Sequence, residues 1–382
     1  MIQRKRLKKL LRKMVDIYSP SGKEEDILDF LKTYLKRHRI PFQTQMVDEN
    51  RYNLLIMPDS VNTKLAFIGH VDTVAAYDLE DYGFHEQGDN IRGLGTADMK
   101  GGCAAMIEAY LSFQELNRGH FPAALCLVVG EEETGDGADQ LTKHLHVPWA
   151  IIGEPTNLIP CTSSYGYLEI QVAARGKRMH ACLANREENA IEAMLRVMLH
   201  ISHYMNQKQP EAVYNIRDLY SLRTGFTVAE HCEAWLDIHV PPTAAIGEMI
   251  TDLEEVTLNP KSTGNTKIDH LQDNIFFNGE EKKNNINISF KTETIASGYA
   301  IPEKGPMFDT LKSIFNTSNI AWKTAAFPSH SDANQLWAAG IKPIVLGPGQ
   351  LEKAHTQDES VSFDQICQAS QIYLDILIKL CI

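Results

Sequence analysis

The amino-acid sequence predicts an α/β fold that is interrupted by a smaller inserted α+β domain. Apolar strand-like runs alternate with longer helical patterns from the start of the chain to about Glu154, and the alternation returns near the C-terminal end. Between these segments the order is strand, helix, strand, which suits a small α+β unit. We therefore expect a main domain in two segments, residues 1–164 and 296–382, and an insert at residues 165–295.

The composition indicates a soluble enzyme whose ligands are small molecules or short peptides. The chain has 382 residues, 43% of them hydrophobic, and no run of about 18 apolar residues that could cross a membrane. Its net charge of −12 argues against a nucleic-acid partner, which would require a basic face. Seven cysteines are scattered without a C-x-x-C pair, and this odd number of thiols predicts a reducing, cytoplasmic location.

The basic N-terminal segment "RKRLKKLLRKMV" predicts a first amphipathic helix. Its leucines recur at helical spacing, and its lysines and arginines would form a solvated face. No uninterrupted apolar stretch follows the charges, so the segment does not read as a secretory signal. A transit peptide, or a contact with an acidic surface, remains the alternative.

The main domain and the insert each contain recognisable elements. In the main domain, strands are predicted at 64–70, 124–133 and 342–349, and helices at 101–116, 306–316 and 362–380. In the insert, strands are predicted at 165–176 and 232–240, with a helix at 189–205 between them. The polar, turn-rich stretch 259–285 is interpreted as a loop or an edge hairpin of the insert, without chemistry.

Polar residues stand where strands of the main domain end, which is where ligands bind in open α/β sheets. They are His70, Asp72, Glu131, Glu132, Glu133 and Glu154, with Asp98 in a glycine-rich turn and His355 after a further strand. Taken singly, each could be a structural histidine, a turn residue or a solvated acid. Crowded carboxylates repel one another unless a cation is present. Imidazoles with carboxylates suit Zn²⁺, or Mn²⁺ or Co²⁺, and this many donors could hold two ions with one bridging carboxylate.

Several motifs, in this order, resemble those of a known enzyme family. They are "GHVDTV", "GLGTADMKGG", "GEEETG", "GEPTN" and "GPGQLEKAHTQDE". The chain resembles the di-zinc amidohydrolases and metallopeptidases that include N-acetylornithine deacetylase, succinyl-diaminopimelate desuccinylase, aminoacylase and glutamate carboxypeptidase. The resemblance covers nearly the whole length. It implies a zinc-exopeptidase-like catalytic domain, with a mainly β sheet flanked by helices, and an insert that acts as lid and dimerisation domain.

The resemblance also implies roles for single residues. The metal ligands would be His70, Asp98, Glu133, Glu154 and His355. Asp98 would bridge two Zn²⁺ ions, with Co²⁺ or Mn²⁺ as possible replacements, and a cis peptide bond would follow it. Glu132 would be the general base, and Asp72 would orient His70. His180 of the insert matches the lid histidine that reaches the active site of a partner subunit in this family.

The predicted substrate contacts are less well defined. The loop "FPSHSDANQ" offers Ser331 and Asp332, for which turn formation is the alternative, and "GPG" offers the N–H groups of Gly347 and Gly349. The family commonly has an arginine for the substrate carboxylate where this chain has His239 in "LDIHVPP". The candidate replacement anchors are Arg92, Arg217 and Arg223.

The function predicted from these features is metal-dependent hydrolysis of the amide bond of an N-acyl amino acid. A metal-bridging water would attack the carbonyl, with Glu132 as general base. Within the family, the expected activity is that of an N-acetylornithine deacetylase, with a role in arginine biosynthesis, and the expected assembly is a homodimer. A desuccinylase, an aminoacylase or a dipeptidase would use the same metal site, and a non-catalytic binding homologue is the remote alternative.

Overall fold

The computed structural model describes residues 1–58, 63–117, 121–184, 188–222, 225–258 and 286–380. Two sequence predictions, the polar stretch 259–285 and the candidate anchor Arg223, lie outside these ranges. Within the described residues, no helix is both long and apolar enough to cross a membrane.

The strands and helices of the described residues are as follows. The strands are β1 (Gln43–Met46), β2 (Tyr52–Ile56), β3 (Leu65–His70), β4 (His85–Gln87), β5 (Asn90–Arg92), β6 (Ala124–Val128), β7 (Trp149–Ile152), β8 (Cys161–Ser164), β9 (Gly166–Arg175), β10 (Val213–Tyr220), β11 (His231–Val240), β12 (Asn287–Ala296), β13 (Tyr299–Ala300), β14 (Ala325–Phe327), β15 (Lys342–Val345) and β16 (Ser360–Ser362). The α-helices are α1 (Arg4–Val15), α2 (Glu25–Arg37), α3 (Lys100–Asn117), α4 (Asp136–Thr142), α5 (Ala190–Lys208), α6 (Ile246–Leu258), α7 (Pro306–Thr317), α8 (Asp332–Ala338) and α9 (Phe363–Leu380).

The chain divides into two compact units. The first unit comprises Met1–Ser164 and Tyr299–Ile382, and the second comprises Tyr165–Gly298. In the first unit, a mixed sheet has the strand order β1-β2-β6-β3-β7-β15-β8-β13, and β14 pairs with β8. A separate three-stranded sheet, in the order β16-β5-β4, was not anticipated from the sequence because its strands are only three residues long.

The central strands of the large sheet explain where the polar residues collect. β3 pairs in parallel with β6 on one side and with β7 on the other, and β15 continues the parallel pairing beyond β7. β3 and β6 are buried along their whole length, as expected for strands covered on both faces. The carboxyl ends of three adjacent strands therefore meet at one edge of the sheet.

The helices of the first unit cover this sheet with a continuous apolar core. The predicted N-terminal helix is present as α1, which buries Leu7, Leu10 and Leu11 while its lysines face outward. Helix α3 packs against β3, α1 and α9. The rings of Tyr110 and Tyr373 lie 5.9 and 5.5 Å from the ring of Phe67 on β3. This packing fixes the strand that carries His70.

The second unit is a four-stranded antiparallel sheet with two helices. Its strand order is β10-β11-β9-β12, and α5 and α6 pack against the sheet. Residues of β11 alternate strictly between buried and half-buried, so one face lies beneath the helices. The predicted strand-helix-strand order of the insert appears here as β9, α5 and β11, and the predicted α/β fold class is confirmed.

Candidate metal centre

The carboxyl edge of β3, β6 and β7 brings one imidazole and several carboxylates together. His70 is the last residue of β3 and is fully buried. Glu131 and Glu132 follow β6, and Glu154 follows β7. His70 Nε2 lies 3.5 Å from Glu154 Oε1 and 3.8 Å from Glu131 Oε2. Polar residues that follow separate strands in the sequence therefore lie close together in the structure.

Asp98 stands between two histidines. It lies in the loop that precedes α3, and the Asp98–Met99 peptide bond is cis. Its Oδ1 lies 3.2 Å from His70 Nε2, and its Oδ2 lies 3.4 Å from His355 Nε2. The side chain is almost buried, at 9% exposed. One carboxylate with each oxygen facing a different imidazole is suited to bridging two cations.

His355 completes the second half of the cluster from the other end of the chain. It follows the short 3₁₀ helix Leu351–Lys353 and has a φ of +56°, an uncommon conformation for a residue with a side chain. Its Nε2 lies 2.8 Å from Glu132 Oε2. The cluster thus has two halves, one around His70 and Glu154 and the other around Glu132 and His355, with Asp98 between them.

Of the three consecutive glutamates, Glu131 and Glu132 face the cluster and Glu133 does not. Glu133 is exposed and belongs to neither group of potential ligands. The sequence prediction gave Glu133 a metal and made Glu132 the base, so the structure differs from it by one residue. The turn after β6 is the physical reason: Gly130 has a φ of +75°, and its carbonyl accepts the N–H groups of Thr134 and Gly135.

Asp72 contacts both halves of the cluster. Its Oδ1 lies 3.5 Å from His70 Nδ1, and its backbone carbonyl lies 3.1 Å from the same nitrogen. Its Oδ2 accepts hydrogen bonds from the Ser21 hydroxyl at 2.5 Å and from the Glu132 backbone N–H at 3.0 Å. Asp72 therefore contacts both the imidazole of His70 and the backbone of Glu132. Sequence reasoning did not identify Ser21.

The charges of the cluster are not balanced within the protein. Burial, followed by the nearby Asp98, raises the pKa of Glu154 to about 8, and burial also raises the pKa of Glu131 and Glu132. Burial opposes the charged form of His355, but hydrogen bonds to Asp98 and Glu132 outweigh it and raise its pKa to about 11. These shifts have one cause: four carboxylates share a buried space with two imidazoles.

The residues of the cluster fit divalent cations. Potential ligand atoms form two groups within 4.8 Å, namely His70 with Glu131 and Glu154, and His70 with Asp98 and Glu132. Among the described residues, Glu132 Oε1 and Glu154 Oε1 are buried without a hydrogen-bond partner. Buried carboxylate oxygens normally have partners, so these two are expected to face a cation. Nitrogen and oxygen donors without thiolate suit Zn²⁺, Co²⁺ or Mn²⁺.

Glu359 supports the loop that carries Asp98, and sequence reasoning missed it. Its side chain is buried, and it accepts three backbone hydrogen bonds, from Gly95 at 2.9 Å, Ala97 at 2.8 Å and Asp98 at 3.0 Å. Burial raises its pKa to about 7. The partners are more than 260 residues apart in the sequence, so no local pattern could have indicated this contact.

The two predicted substrate residues at the start of α8 differ in their surroundings. Ser331 is the N-cap of α8 and accepts a hydrogen bond from the Ala333 N–H at 3.2 Å. Asp332 is buried, and its Oδ1 has no hydrogen-bond partner among the described residues. Its charge helps to raise the pKa of Glu131, after burial and Glu154. Ser331 thus caps helix α8, whereas Asp332 is buried and its charge acts on Glu131.

Gly347 and Gly349 bring the chain after β15 close to the cluster, but their N–H groups are engaged. The Gly347 N–H donates to Thr156 Oγ1 at 3.1 Å, and the Gly349 N–H donates to Gln365 Oε1 at 2.7 Å. This differs from the expectation that both face a substrate carboxylate. Gly347 is needed for close packing instead, because a Cβ there would lie 2.1 Å from the carbonyl oxygen of Gly153.

The remaining candidates have contacts within their own units. In the second unit, His180 is exposed and its Nδ1 accepts a hydrogen bond from the Cys182 N–H at 3.2 Å. His239 packs against the ring of Tyr167 at 5.3 Å. The candidate anchor Arg217 forms ion pairs with three carboxylates of its own sheet. In the first unit, Arg92 pairs with an aspartate at 2.8 Å.

Comparison with known proteins gives relatives that cover between half and most of the chain. An acetylornithine deacetylase of Edwardsiella ictaluri is 26% identical over 365 residues, which cover 90% of this chain and 87% of the relative. That of Photorhabdus laumondii is 24% identical, covering 94% and 91%. A probable succinyl-diaminopimelate desuccinylase of Staphylococcus epidermidis is 29% identical over 218 residues, 54% of each chain.

Solved structures share the fold. A tripeptidase of Staphylococcus aureus has a TM-score of 0.79 at 19% identity and covers 100% of both chains. Human carnosine dipeptidase 1 has a TM-score of 0.73 at 11% identity, covering 99% of this chain and 97% of its own. A dinuclear metal binding peptidase of Bacillus subtilis has a TM-score of 0.65 at 12% identity, covering 98% of both chains.

The family itself is identified over most of the sequence. Residues 66–379 match peptidase family M20/M25/M40, and this range contains all the residues of the cluster. The match confirms the resemblance that the motifs indicate and the prediction that the protein is an enzyme. The chain belongs to peptidase family M20/M25/M40, whose members are metal-dependent hydrolases of amide and peptide bonds.

Proposed function

We propose that the protein hydrolyses the amide bond of an N-acyl amino acid, in the manner of the acetylornithine deacetylases that it resembles over 90% and 94% of its length. The observation that carries the proposal is the position of Asp98 between His70 and His355, with buried carboxylates on both sides. A bridging carboxylate between two imidazoles suits a dinuclear centre that acts on an uncharged carbonyl.

We propose that two ions are held by His70, Asp98 and Glu154 on one side and by Asp98, Glu132 and His355 on the other. Bound Zn²⁺, Co²⁺ or Mn²⁺ would polarise the amide carbonyl and lower the pKa of a water molecule. The contact of 2.8 Å between Glu132 and His355 supports Glu132 as a ligand in the place that the sequence prediction gave to Glu133.

Glu131 is then the general base. Its carboxylate lies in the His70 half of the cluster, with Oε2 at 3.8 Å from His70 Nε2, and neither of the two proposed ligand sets uses it. Glu131 takes a proton from the attacking water, whose oxygen bonds to the carbonyl carbon. When the carbon–nitrogen bond breaks, Glu131 returns that proton to the departing amine.

The test is release of free α-amine from a panel of N-acetyl amino acids, N-succinyl amino acids and dipeptides. Metal-stripped protein is assayed alone and with added Zn²⁺ or Co²⁺. We expect metal-dependent release that is greatest for N-acetylornithine. Greater release from N-succinyl-diaminopimelate or from dipeptides would replace the proposed substrate within the family. No release with any metal would contradict an enzymatic role.

We also propose that a second copy of the chain covers part of the second unit. Helix α5 exposes Ile191, Leu195 and Leu199 at spacings of four residues, on one stripe. The adjacent strand β10 lies at the end of its sheet and is exposed along most of its length. An apolar stripe beside an open strand edge is suited to pairing with its own copy.

The oligomeric state tests this surface. Light scattering after size exclusion should give a dimer for the wild type and a monomer for Leu199→Asp, because a buried charge at the stripe would oppose association. Leu116→Asp on α3, where the leucine is also exposed, is the matched control and should remain dimeric. A monomeric wild type would contradict the proposal. In a dimer, His180 would be available to act in the site of the partner, as the family resemblance implies.

A further inference from the structure

The turn that carries the glutamates of the metal centre lies beside the beginning of strand β2. This turn follows β6, and a hydrogen bond from the Gly137 N–H to the Val129 carbonyl, at 3.2 Å, closes it. β2 and β6 are antiparallel, with Leu54 opposite Leu127, so the start of β2 is next to the end of β6. Residues near the start of β2 are therefore placed to fix the conformation of the turn.

Asn53 of β2 holds the two ends of this turn. Its side chain is fully buried. Its Oδ1 accepts a hydrogen bond from the Val129 N–H at 3.3 Å, and its Nδ2 donates to the Gly137 carbonyl at 2.8 Å. A buried amide that satisfies a donor and an acceptor of the backbone keeps both in place. The ends of the turn are therefore fixed by a single side chain.

Arg51, two residues before Asn53, contacts the part of the turn that lies between these ends. Its Nη1 donates to Asp136 Oδ1 at 3.3 Å and its Nη2 donates to Asp136 Oδ2, a two-point contact that the single ammonium of lysine cannot form. The pair packs against Gly130, because a Cβ there would lie 2.1 Å from Asp136 Oδ1 and 3.0 Å from Arg51 Nη1. Arg51 therefore restrains the residue at which the turn begins.

The guanidinium of Arg51 is itself held by two further carboxylates. Its side chain is only 14% exposed. Its Nε donates to Asp48 Oδ2 at 2.6 Å, and its backbone N–H donates to Asp48 Oδ1 at 2.8 Å. Its Nη1 lies 3.5 Å from Oε1 of Glu24, which is fully buried. Because three carboxylates fix the guanidinium, Asp136 pairs with a group that has little freedom to move.

We infer that Arg51, through its pair with Asp136, is a positioning residue for Glu131 and Glu132 of the metal centre. Arg51 acts through the turn, since the two groups of potential ligands consist of histidines and carboxylates. The inference rests on the proposed function for the roles of the two glutamates. Zinc affinity tests the positioning without catalysis, because Glu132 is a proposed ligand.

The experiment compares two aspartates that pair with the same arginine. Asp136→Asn breaks the two-point contact at the turn, because an amide NH₂ would face a guanidinium that has no acceptor. Asp48→Asn is the matched control, since Asp48 contacts the same guanidinium and lies outside the turn. Zinc affinity is measured by competition with a chelating dye, and kcat and KM are measured at saturating zinc.

We expect the zinc affinity of Asp136→Asn to fall about 10–100-fold, as for other residues that orient metal ligands. At saturating zinc, kcat should fall about tenfold with KM unchanged, because a displaced base slows the reaction and not substrate binding. A merely structural role would lower the Tm and leave the zinc affinity and kcat of the folded protein unchanged. Wild-type zinc affinity in Asp136→Asn, or an equal loss in Asp48→Asn, would overturn the inference.

A second variant keeps the inference falsifiable if Asp136→Asn does not fold. Arg51→Lys retains a positive charge beside the buried Glu24 but cannot form the two-point contact with Asp136. We expect the same fall in zinc affinity, and wild-type affinity would overturn the inference. If the wild type hydrolyses no amide, the proposed function fails and the zinc affinities still decide the role of Arg51. Hydrolysis with equal zinc affinity in every variant would leave the function and remove the positioning role.

Discussion

Two regions of the first unit contain buried carboxylates. In one region the carboxylate has hydrogen-bond donors within the protein, and in the other some carboxylate oxygens do not. Glu108 is fully buried, yet it accepts hydrogen bonds from Arg6 at 2.7 and 2.9 Å and from the Gln3 backbone N–H at 2.6 Å. At the metal centre, Glu132 and Glu154 each keep a buried oxygen without a hydrogen-bond partner among the described residues.

The difference separates a structural use of buried charge from a functional one. A buried carboxylate with an arginine and several donors is balanced within the fold, and it joins α1 to α3. A cluster whose carboxylates raise one another's pKa is balanced only when a cation arrives. Substitutions in the first region should therefore change stability, whereas substitutions in the second should change metal binding or activity.

The largest effect is expected at the general base. Glu131→Gln removes the proton acceptor, and kcat should fall by about 10²–10⁴-fold while the metal content is unchanged. Glu133→Gln is the matched control on the same turn. Because Glu133 is exposed, its kcat should stay within about twofold of the wild type. Assays of kcat with metal analysis decide the point, and the reverse order of effects would restore the assignment predicted from the sequence.

Substitutions in the region of Glu108 and Arg6 should change the stability of the fold and leave metal binding unchanged. Glu108→Gln weakens hydrogen bonds to a charged partner, and the free energy of unfolding should fall by about 1.5–3 kcal/mol. Glu115→Gln is the control, since Glu115 also pairs with Arg6 but is 48% exposed, and it should cost about 0–1 kcal/mol. Urea denaturation of metal-free protein measures both. A loss of bound zinc in Glu108→Gln would contradict the prediction that this region affects stability and not metal binding.

Substitution of Glu359 should lower the zinc affinity although Glu359 is not a proposed metal ligand. In Glu359→Gln, an amide NH₂ replaces one of the oxygens that accept backbone N–H groups, so the loop carrying Asp98 loses support. We expect zinc affinity to fall about 10–100-fold, as for other residues that orient ligands. Competition with a chelating dye measures it. Asp358→Asn, at an exposed neighbour, should change the affinity less than about twofold, and an equal loss there would refute the positioning role.

The smallest effect is a pH dependence confined to metal-free protein. Burial raises the pKa of Glu154 to about 8 and that of Asp332 to about 7. Their contribution to stability is present below their unfolded pKa values of about 4 and is lost as the pH rises through 7 and 8. The pKa of His355 is raised to about 11, so its contribution to stability is also lost as the pH rises above the unfolded pKa of about 6.5.

Thermal unfolding between pH 6 and pH 9 tests this dependence. The Tm of metal-free protein should fall across that range by at least about 3 °C. Zinc-loaded protein should be less sensitive, because bound ions keep the carboxylates ionised. A metal-free Tm that rises with pH would contradict the unbalanced charge of the cluster.

Much of the site could be predicted because strand ends are visible in a sequence. His70 and Glu154 follow apolar runs, and Asp98 and His355 lie in motifs that resemble those of the family. The parallel pairing of β3 with β6 and β7 then brings the strand ends together, as expected for this fold class.

The rest depended on geometry that a sequence does not display. Three consecutive glutamates look alike, and only the turn after Gly130, with the bond from the Glu132 N–H to Asp72, determines which two face inward. The contact of Glu359 with the loop of Asp98 depends on how distant segments pack. The N–H groups of Gly347 and Gly349 donate to acceptors within the protein, and the sequence does not reveal these acceptors.

The number of zinc ions bound per chain tests the central claim most directly. Wild-type protein, Glu132→Ala and Glu133→Ala are stripped with a chelator, reloaded with Zn²⁺ and analysed by mass spectrometry for metal per chain. We predict two ions in the wild type and in Glu133→Ala, and the loss of one ion in Glu132→Ala. Loss of an ion in Glu133→Ala with two retained in Glu132→Ala would contradict the proposed ligand set, and a wild type that binds none would contradict the metal centre itself.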